Sequence, residues 1–231
     1  MNSLTRFTSV PRTQRSQLDY ILLDASGSMR DKWWDSLAAI DSYIAGIKAQ
    51  PDINSQVMLT SFTSVAGYDS SGSYGERHVE YLLRDTPIQQ WVPLSQDPVG
   101  ADWGGTPLLD AINNMARFAA QADPVRGSFI VVTDGEESGS RFTTWDQAKS
   151  MLDWMRAKGW QITFIGCDFD NTSIASRLGA GKGQSIGVAQ ANLKLAASAL
   201  ASKRVAYGRS GQDMEYTDDE SRRFGGYLGS K

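Results

Sequence analysis

Leu18-Asp19-Tyr20-Ile21-Leu22-Leu23-Asp24 is a short run, largely apolar on both faces, that ends in an acid. Runs of this kind read as strands buried on both sides, typical of parallel sheets covered by helices. A turn of small residues, Ala25-Ser26-Gly27-Ser28-Met29, comes next. Trp33, Leu37, Ile40, Ile44 and Ile47 then recur at alternating steps of four and three, one face of an amphipathic helix that Pro51 closes. Val57 to Phe62 predicts a second strand. From His78 to Leu83 polar and apolar residues alternate, which predicts a strand exposed on one side, as suits a sheet edge. The Gly/Ser-rich stretch from Gly67 to Gly75 between them predicts a hairpin loop or an excursion.

The second half repeats the scheme. Ala101 to Pro107 is a tight loop leading into a helix, with Thr106 expected at the N-cap and Pro107 at the first helical position. Leu108, Ile112, Met115 and Ala119 give that helix its apolar stripe. Phe129 to Asp134 is another buried run ending in an acid, followed by Gly135. A helix over Trp145–Lys158, a strand over Gln161–Gly166, and helices over Thr172–Leu178 and Ala189–Leu200 complete the pattern. Strands alternating with helices predict an α/β doubly wound domain with a mostly parallel central sheet and helices on both faces. The expected organisation is an N-terminal arm over residues 1–16, one domain over 17–206, and a polar, Gly-rich tail over 207–231. No internal repeat is present.

Bulk properties narrow the function classes. The length of 231 residues suits one fairly large domain. A formal net charge of -3, without a stripe of Lys and Arg, argues against nucleic-acid binding. Nothing approaches the roughly 20 continuous apolar residues that span a bilayer, so no membrane association is expected. Met1 to Gln17 carries Arg6, Arg12 and Arg15 but lacks the apolar stretch of a secretory signal. Cys167 is the single cysteine, so no intrachain disulfide forms. That fits a reducing compartment, and a cytoplasmic location is the expectation, or a virion if the chain is phage-encoded.

The chemistry is carried by three distant segments: Asp24-x-Ser26-x-Ser28 at the end of one strand, Thr106 behind two glycines, and Asp134 at the end of another strand. In open α/β sheets, ligands bind where carboxyl ends of strands meet at a topological switch point. If the strands ending in Asp24 and Asp134 are neighbours, both carboxylates reach one crevice. Two carboxylates and three hydroxyls are hard oxygen donors, with no imidazole or thiolate among them. Such a set selects Mg²⁺, Mn²⁺ or Ca²⁺. Two acids neutralise the cation and leave an open position for another carboxylate, which points to an acidic residue on a protein partner.

Each residue also has a plainer reading. Thr106 caps its helix, Asp24 and Asp134 sit at helix starts, and Ser26 and Ser28 are turn residues. Glu136 and Glu137 either add negative potential beside Asp134 or start a helix. His78 is the only histidine, which leaves Ser/His/Asp catalysis little to work with. Cys167 reads as a packed thiol. Trp33 belongs to the buried helix face, whereas Trp34 and Trp103 are candidates for a binding rim.

Asp24-Ala25-Ser26-Gly27-Ser28, Gly104-Gly105-Thr106-Pro107-Leu108 and Thr133-Asp134-Gly135 resemble the metal-ion-dependent adhesion site of von Willebrand factor A domains. The resemblance covers approximately Gln17 to Ala206 and fills all five metal-site positions. It implies that Ser26 and Ser28 ligate directly, and that Thr106, Asp24 and Asp134 ligate directly or through water. It also implies a central sheet with one antiparallel edge strand, for which the His78 segment is the candidate. The style is that of stand-alone bacterial or phage members, tellurite-resistance-like or associated with MoxR-type ATPases. The function implied is a non-enzymatic adaptor or assembly module, with an AAA+ ATPase or virion and assembly proteins as partner classes. No GxxxxGK[ST] motif occurs here, so any ATPase is a separate chain. Two alternatives stay open: a structural component of a phage particle or bacterial assembly, and a metal-dependent phosphatase or hydrolase. The latter lacks the second acid two residues after Asp24, where Ser26 stands, and no Lys obviously accompanies the site.

Overall fold

The structure, a computed structural model, describes residues 17–68, 74–96, 100–101, 103–122 and 124–225. Six strands form one sheet: β1 (Gln17–Asp24), β2 (Ser55–Tyr68), β3 (Tyr74–Pro87), β4 (Arg126–Thr133), β5 (Gln161–Cys167) and β6 (Ser185–Val188). Their order across the sheet is β3-β2-β1-β4-β5-β6. Every neighbouring pair is parallel except β2 with β3. The antiparallel edge strand is thus the one carrying His78, although it and β2 run well beyond the expected limits. Gly67 pairs with Gly75 across the hairpin. Residues 69–73, in the middle of the expected loop, lie outside the described residues.

Central β1 shows why the sheet is covered on both sides. All eight of its residues are buried, and alternate side chains enter different cores. Leu18, Tyr20 and Leu22 meet α2 (Leu108–Ala120), α3 (Trp145–Ala157) and α4 (Thr172–Arg177) through Ile112, Met115, Leu152 and Ile174. Ile21 and Leu23 meet α1 (Trp33–Lys48), α5 (Leu193–Ser210) and α6 (Asp218–Gly225) through Leu37, Ile44, Leu200 and Phe224. The helices α1 and α5 approach closely enough that a methyl on Gly46 would lie 2.8 Å from the Ala201 Cβ.

Three elements differ from expectation. Strand β6 is only four residues long, and its Ser-Ile-Gly-Val composition gives no apolar run to find. The last long helix spans Leu193–Ser210 instead of Ala189–Leu200, because it continues through a buried arginine, Arg204, that apolar periodicity does not count. The segment from 207, expected as an extended tail, packs back onto the sheet as far as residue 225. Tyr207, Met214, Tyr216 and Phe224 are buried, and the Tyr216 hydroxyl donates to the Ala196 carbonyl at 2.9 Å. The expected arm over residues 1–16 and the last six residues lie outside the described residues.

The buried Arg204 bolts α5 to β1. Its Nε and Nη2 donate to the two Asp19 oxygens at 2.6 and 3.0 Å, and its Nη1 donates to Gln17 at 2.7 Å. Tyr43 of α1 donates to Asp19 at 2.7 Å, and the Ser55 hydroxyl donates to it as well. Removing one partner of such a pair strands the other charge in a dry interior. Arg204→Met is therefore expected to lower the unfolding free energy by about 3–5 kcal/mol in urea denaturation. Arg209→Met, which breaks the exposed pair with Asp52, is expected to leave the midpoint nearly unchanged.

Candidate metal centre

In the β1–β4 pairing, Leu23 stands level with Val132, so Asp24 lies alongside Thr133, one residue before Asp134. The chain leaves β1 towards β2 on one side, and β4 flanks it on the other, so this is the sheet's topological switch point. Asp24 is fully buried and fixed at both oxygens: Oδ1 accepts the Ser26 amide at 2.8 Å, and Oδ2 accepts the Thr133 hydroxyl at 2.6 Å. The Ser26 and Ser28 hydroxyls are 3.1 Å apart, and Ser28 donates to Asp134 Oδ1 at 2.6 Å. Asp24 sits at the bottom of the cluster, while Ser28 is exposed, so the cluster opens outward.

Backbone contacts bring Thr106 to the same place. The Gly27 amide donates to the Gly104 carbonyl at 2.8 Å, and Ser26 forms a parallel bridge with Gly104. The far side of that loop is pinned to β2 just past the level of Asp24, where Gly104 N donates to Thr63 Oγ1 at 3.0 Å and Gly105 N to Ser64 Oγ at 2.9 Å. Gly104 is required by this approach: a Cβ there would lie 1.4 Å from the Ser64 carbonyl oxygen. A methyl on Gly135 would lie 3.7 Å from the Thr106 hydroxyl and 3.8 Å from that of Ser28. Asp24, Ser26, Ser28, Thr106 and Asp134 therefore converge on one crevice.

Thr106 does not cap its helix, contrary to expectation. Helix α2 begins at Leu108, and donors of its first turn go to the loop after β4: Leu109 N to Glu137 at 2.9 Å and Asp110 N to Ser140 at 3.0 Å. Glu137 starts no helix of its own. Its carboxylate also accepts the amides of Gly139 and Ser140, at 2.9 and 2.6 Å, and so staples the Asp134 loop to α2.

Two residues at the site have no counterpart among those predicted. Thr133, part of the Thr133-Asp134-Gly135 motif but given no role there, orients Asp24. Contrary to the expectation that no lysine accompanies the site, Lys32 donates to Asp134 Oδ2 at 2.5 Å and to the Ser28 carbonyl at 3.3 Å. Its position four residues after Ser28, one turn on, was the available clue. Nearby, Trp33 is buried with the Trp103 ring 5.5 Å away at 86°, and Arg30 lies over Trp103 at 5.6 Å. Trp34 is 61% exposed and Phe142 is 82% exposed.

Burial pushes the Asp24 carboxyl up to about 6, against the hydrogen bonds from Thr133 and Ser26, with the Asp134 charge adding to the rise. Burial opposes the Lys32 ammonium, but its bond to Asp134 and that carboxylate's field hold it above its ordinary value. The donor set fits a small hard dication. Adjacent ligands of octahedral Mg²⁺ lie about 3.0 Å apart for bonds of about 2.1 Å. The Ser26–Ser28 and Ser28–Asp134 separations are 3.1 and 2.6 Å. No group of three or more His, Cys, Asp and Glu side chains suited to a metal occurs among the described residues, which leaves hydroxyls as necessary members of this set.

No protein-family model and no curated protein matches the sequence. Solved structures do match the fold. A von Willebrand factor type A protein from Catenulispora acidiphila is 16% identical, with a TM-score of 0.57 over 82% of this chain. The von Willebrand factor A fold is shared. The chain spans 43% of the Catenulispora protein's length. It spans 99% of the vWF domain of the type V pilus tip protein Mfa5 from Porphyromonas gingivalis, covering 89% of this chain at 11% identity and a TM-score of 0.60. Proximal thread matrix protein 1 from the mussel byssus, with a zinc-occupied MIDAS motif, matches 83% of this chain and 46% of its own at 17% identity and a TM-score of 0.53.

Because this von Willebrand A fold holds the Asp24 carboxyl above its ordinary value, the group favours folding most when protonated. That contribution declines as pH rises from 3.8 through about 6. A cation needs the carboxylate, so Mg²⁺ affinity in calorimetric titrations is expected to fall roughly tenfold per unit below about pH 6. Gly104→Ala is expected to displace the Thr106 loop and weaken Mg²⁺ binding at least roughly tenfold in the same titration, with the sheet's circular dichroism preserved.

Proposed function

We propose that the chain is a non-enzymatic, metal-ion-dependent protein-binding module, in which Asp24, Ser26, Ser28, Thr106 and Asp134 hold Mg²⁺, or Mn²⁺ or Ca²⁺ in its place. The observation that carries this reading is the convergence of five oxygen-bearing side chains from three distant segments, opening outward at the switch point. When bound, the cation supplies a positive centre able to accept a carboxylate from a partner. Thr133 and the Ser26 amide fix Asp24 in a single orientation beforehand. Glu137 and Ser140 hold the Asp134 loop against α2, so the crevice is organised before a partner arrives. Trp34, six residues after Ser28, and Phe142, eight residues after Asp134, are exposed aromatic residues and the candidates for a contact rim.

The pilus tip and byssus matrix proteins that share the fold favour an interaction role, and a partner presenting Asp or Glu is the matching chemistry. Partner classes consistent with a bacterial or phage adaptor are an AAA+ ATPase on a separate chain, or assembly proteins. Among the described residues no helix is long and apolar enough to cross a membrane. A structural role in an assembly is the second reading. The packing of residues 207–225 on their own sheet removes the C-terminal arm as its support.

Affinity capture on the immobilised chain, in Mg²⁺ and in EDTA, tests the proposal once mass spectrometry has identified a retained protein. That protein is expected to be retained in Mg²⁺, lost in EDTA and lost on Asp24→Ala. Equal recovery in both buffers, or by the variant, would overturn it.

A further inference from the structure

A cation already reaches the candidate centre from within the chain. The Lys32 ammonium contacts Asp134 Oδ2 at 2.5 Å, while the other oxygen of that carboxylate takes the Ser28 hydroxyl at 2.6 Å. The Asp134 side chain is wholly inaccessible to solvent, and that of Lys32 is 19% exposed. The ammonium's further bond goes to the Ser28 carbonyl, so both of its contacts belong to residues of the five-oxygen cluster. The backbone dictates this placement. Gly27–Lys32 form a tight 3-10 turn, and the next residue, Trp33, is anchored in the core. The Lys32 stem therefore folds back over Ser28, one turn earlier.

Charge gives the pair its consequence. Asp24 and Asp134 together carry two negative charges, of which Lys32 balances one. A dication at the same carboxylates balances both, and an ammonium a few ångströms away then repels it. Asp134 cannot serve both cations at full strength.

We propose that Lys32 is a tethered competitor for the metal: it neutralises Asp134 in the metal-free protein, and cation binding drives its ammonium outward to the rim. The proposal rests on the metal-centre reading above. It makes metal loading an exchange of one cation for another, which keeps the two acids from facing each other uncompensated. It also couples loading to the surface, because the displaced ammonium moves out beside the exposed Ser28, where an acidic partner would meet it.

Calorimetric titration of Mg²⁺ into the full chain, Lys32→Met and Lys158→Met tests this. Lys158 is exposed just past the end of α3 and controls for net charge. Lys32→Met is expected to lower the Mg²⁺ Kd about tenfold, and Lys158→Met to change it less than about twofold. In the unmutated chain, amine acylation at Lys32, read by mass spectrometry, is expected to quicken several-fold on adding saturating Mg²⁺, while Lys158 stays constant. Mg²⁺ binding by the full chain and Lys32→Met with equal Kd, or Lys32 acylation unchanged at saturating Mg²⁺, overturns the competition and leaves the metal reading standing. No binding by either protein overturns both.

Discussion

The parallel pairing of β1 with β4 is the constraint on which the rest depends. It sets Leu23 beside Val132 and carries Asp24 to the carboxyl end of the central strands next to Thr133, with Asp134 immediately beyond. A slip of one residue would turn each side chain of β1 to the opposite core, so the two hydrophobic clusters that cover the sheet also fix the acids at its end. Strand β1 can hold a buried acid at each end because each is answered. Asp19 is met by Arg204, Tyr43 and Ser55, and Asp24 by Thr133 and the Ser26 amide.

The two acids are answered differently, and that separates stability from function. Asp19 has a full-charge partner locked inside the protein, and the pair ties α5 to the amino end of β1, away from the crevice. Asp24 has only neutral donors, and burial holds its carboxyl up at about 6. A buried carboxylate with hydroxyl company and no resident cation of its own is poised to take one. Asp134 beside it borrows Lys32, a side chain on a flexible stem that can leave. One end of β1 is built to stay closed, the other to exchange its counter-charge.

Much of this was legible in the sequence, for particular reasons. The runs ending in Asp24 and Asp134 are apolar on both faces, which marks central parallel strands and puts both acids at carboxyl ends. The His78 strand betrays its edge position by alternation. Elements that escaped were those whose signal is not apolar periodicity: β6, a four-residue strand interrupted by Gly187, and the second half of α5, held by the buried charge of Arg204. Residues 207–225 are too polar and Gly-rich to look packed, yet a few well-spaced side chains, Met214, Tyr216 and Phe224, dock them. At the site, the five oxygen ligand candidates were readable, but their supports were not. Glu137 caps a helix that precedes it in sequence, and Lys32 reaches Asp134 across 102 residues of chain. Such contacts depend on tertiary placement, which spacing along one segment cannot reveal.

The central claim is that five side chains from three segments share one hard cation. Anomalous diffraction from crystals grown in Mn²⁺ tests it most directly, because the ion marks its own position. The account expects a single strong peak about 2.0–2.3 Å from the Ser26 and Ser28 hydroxyls, with Asp24, Thr106 and Asp134 around it directly or through water. An empty crevice at saturating Mn²⁺, or a peak away from these residues, would contradict it.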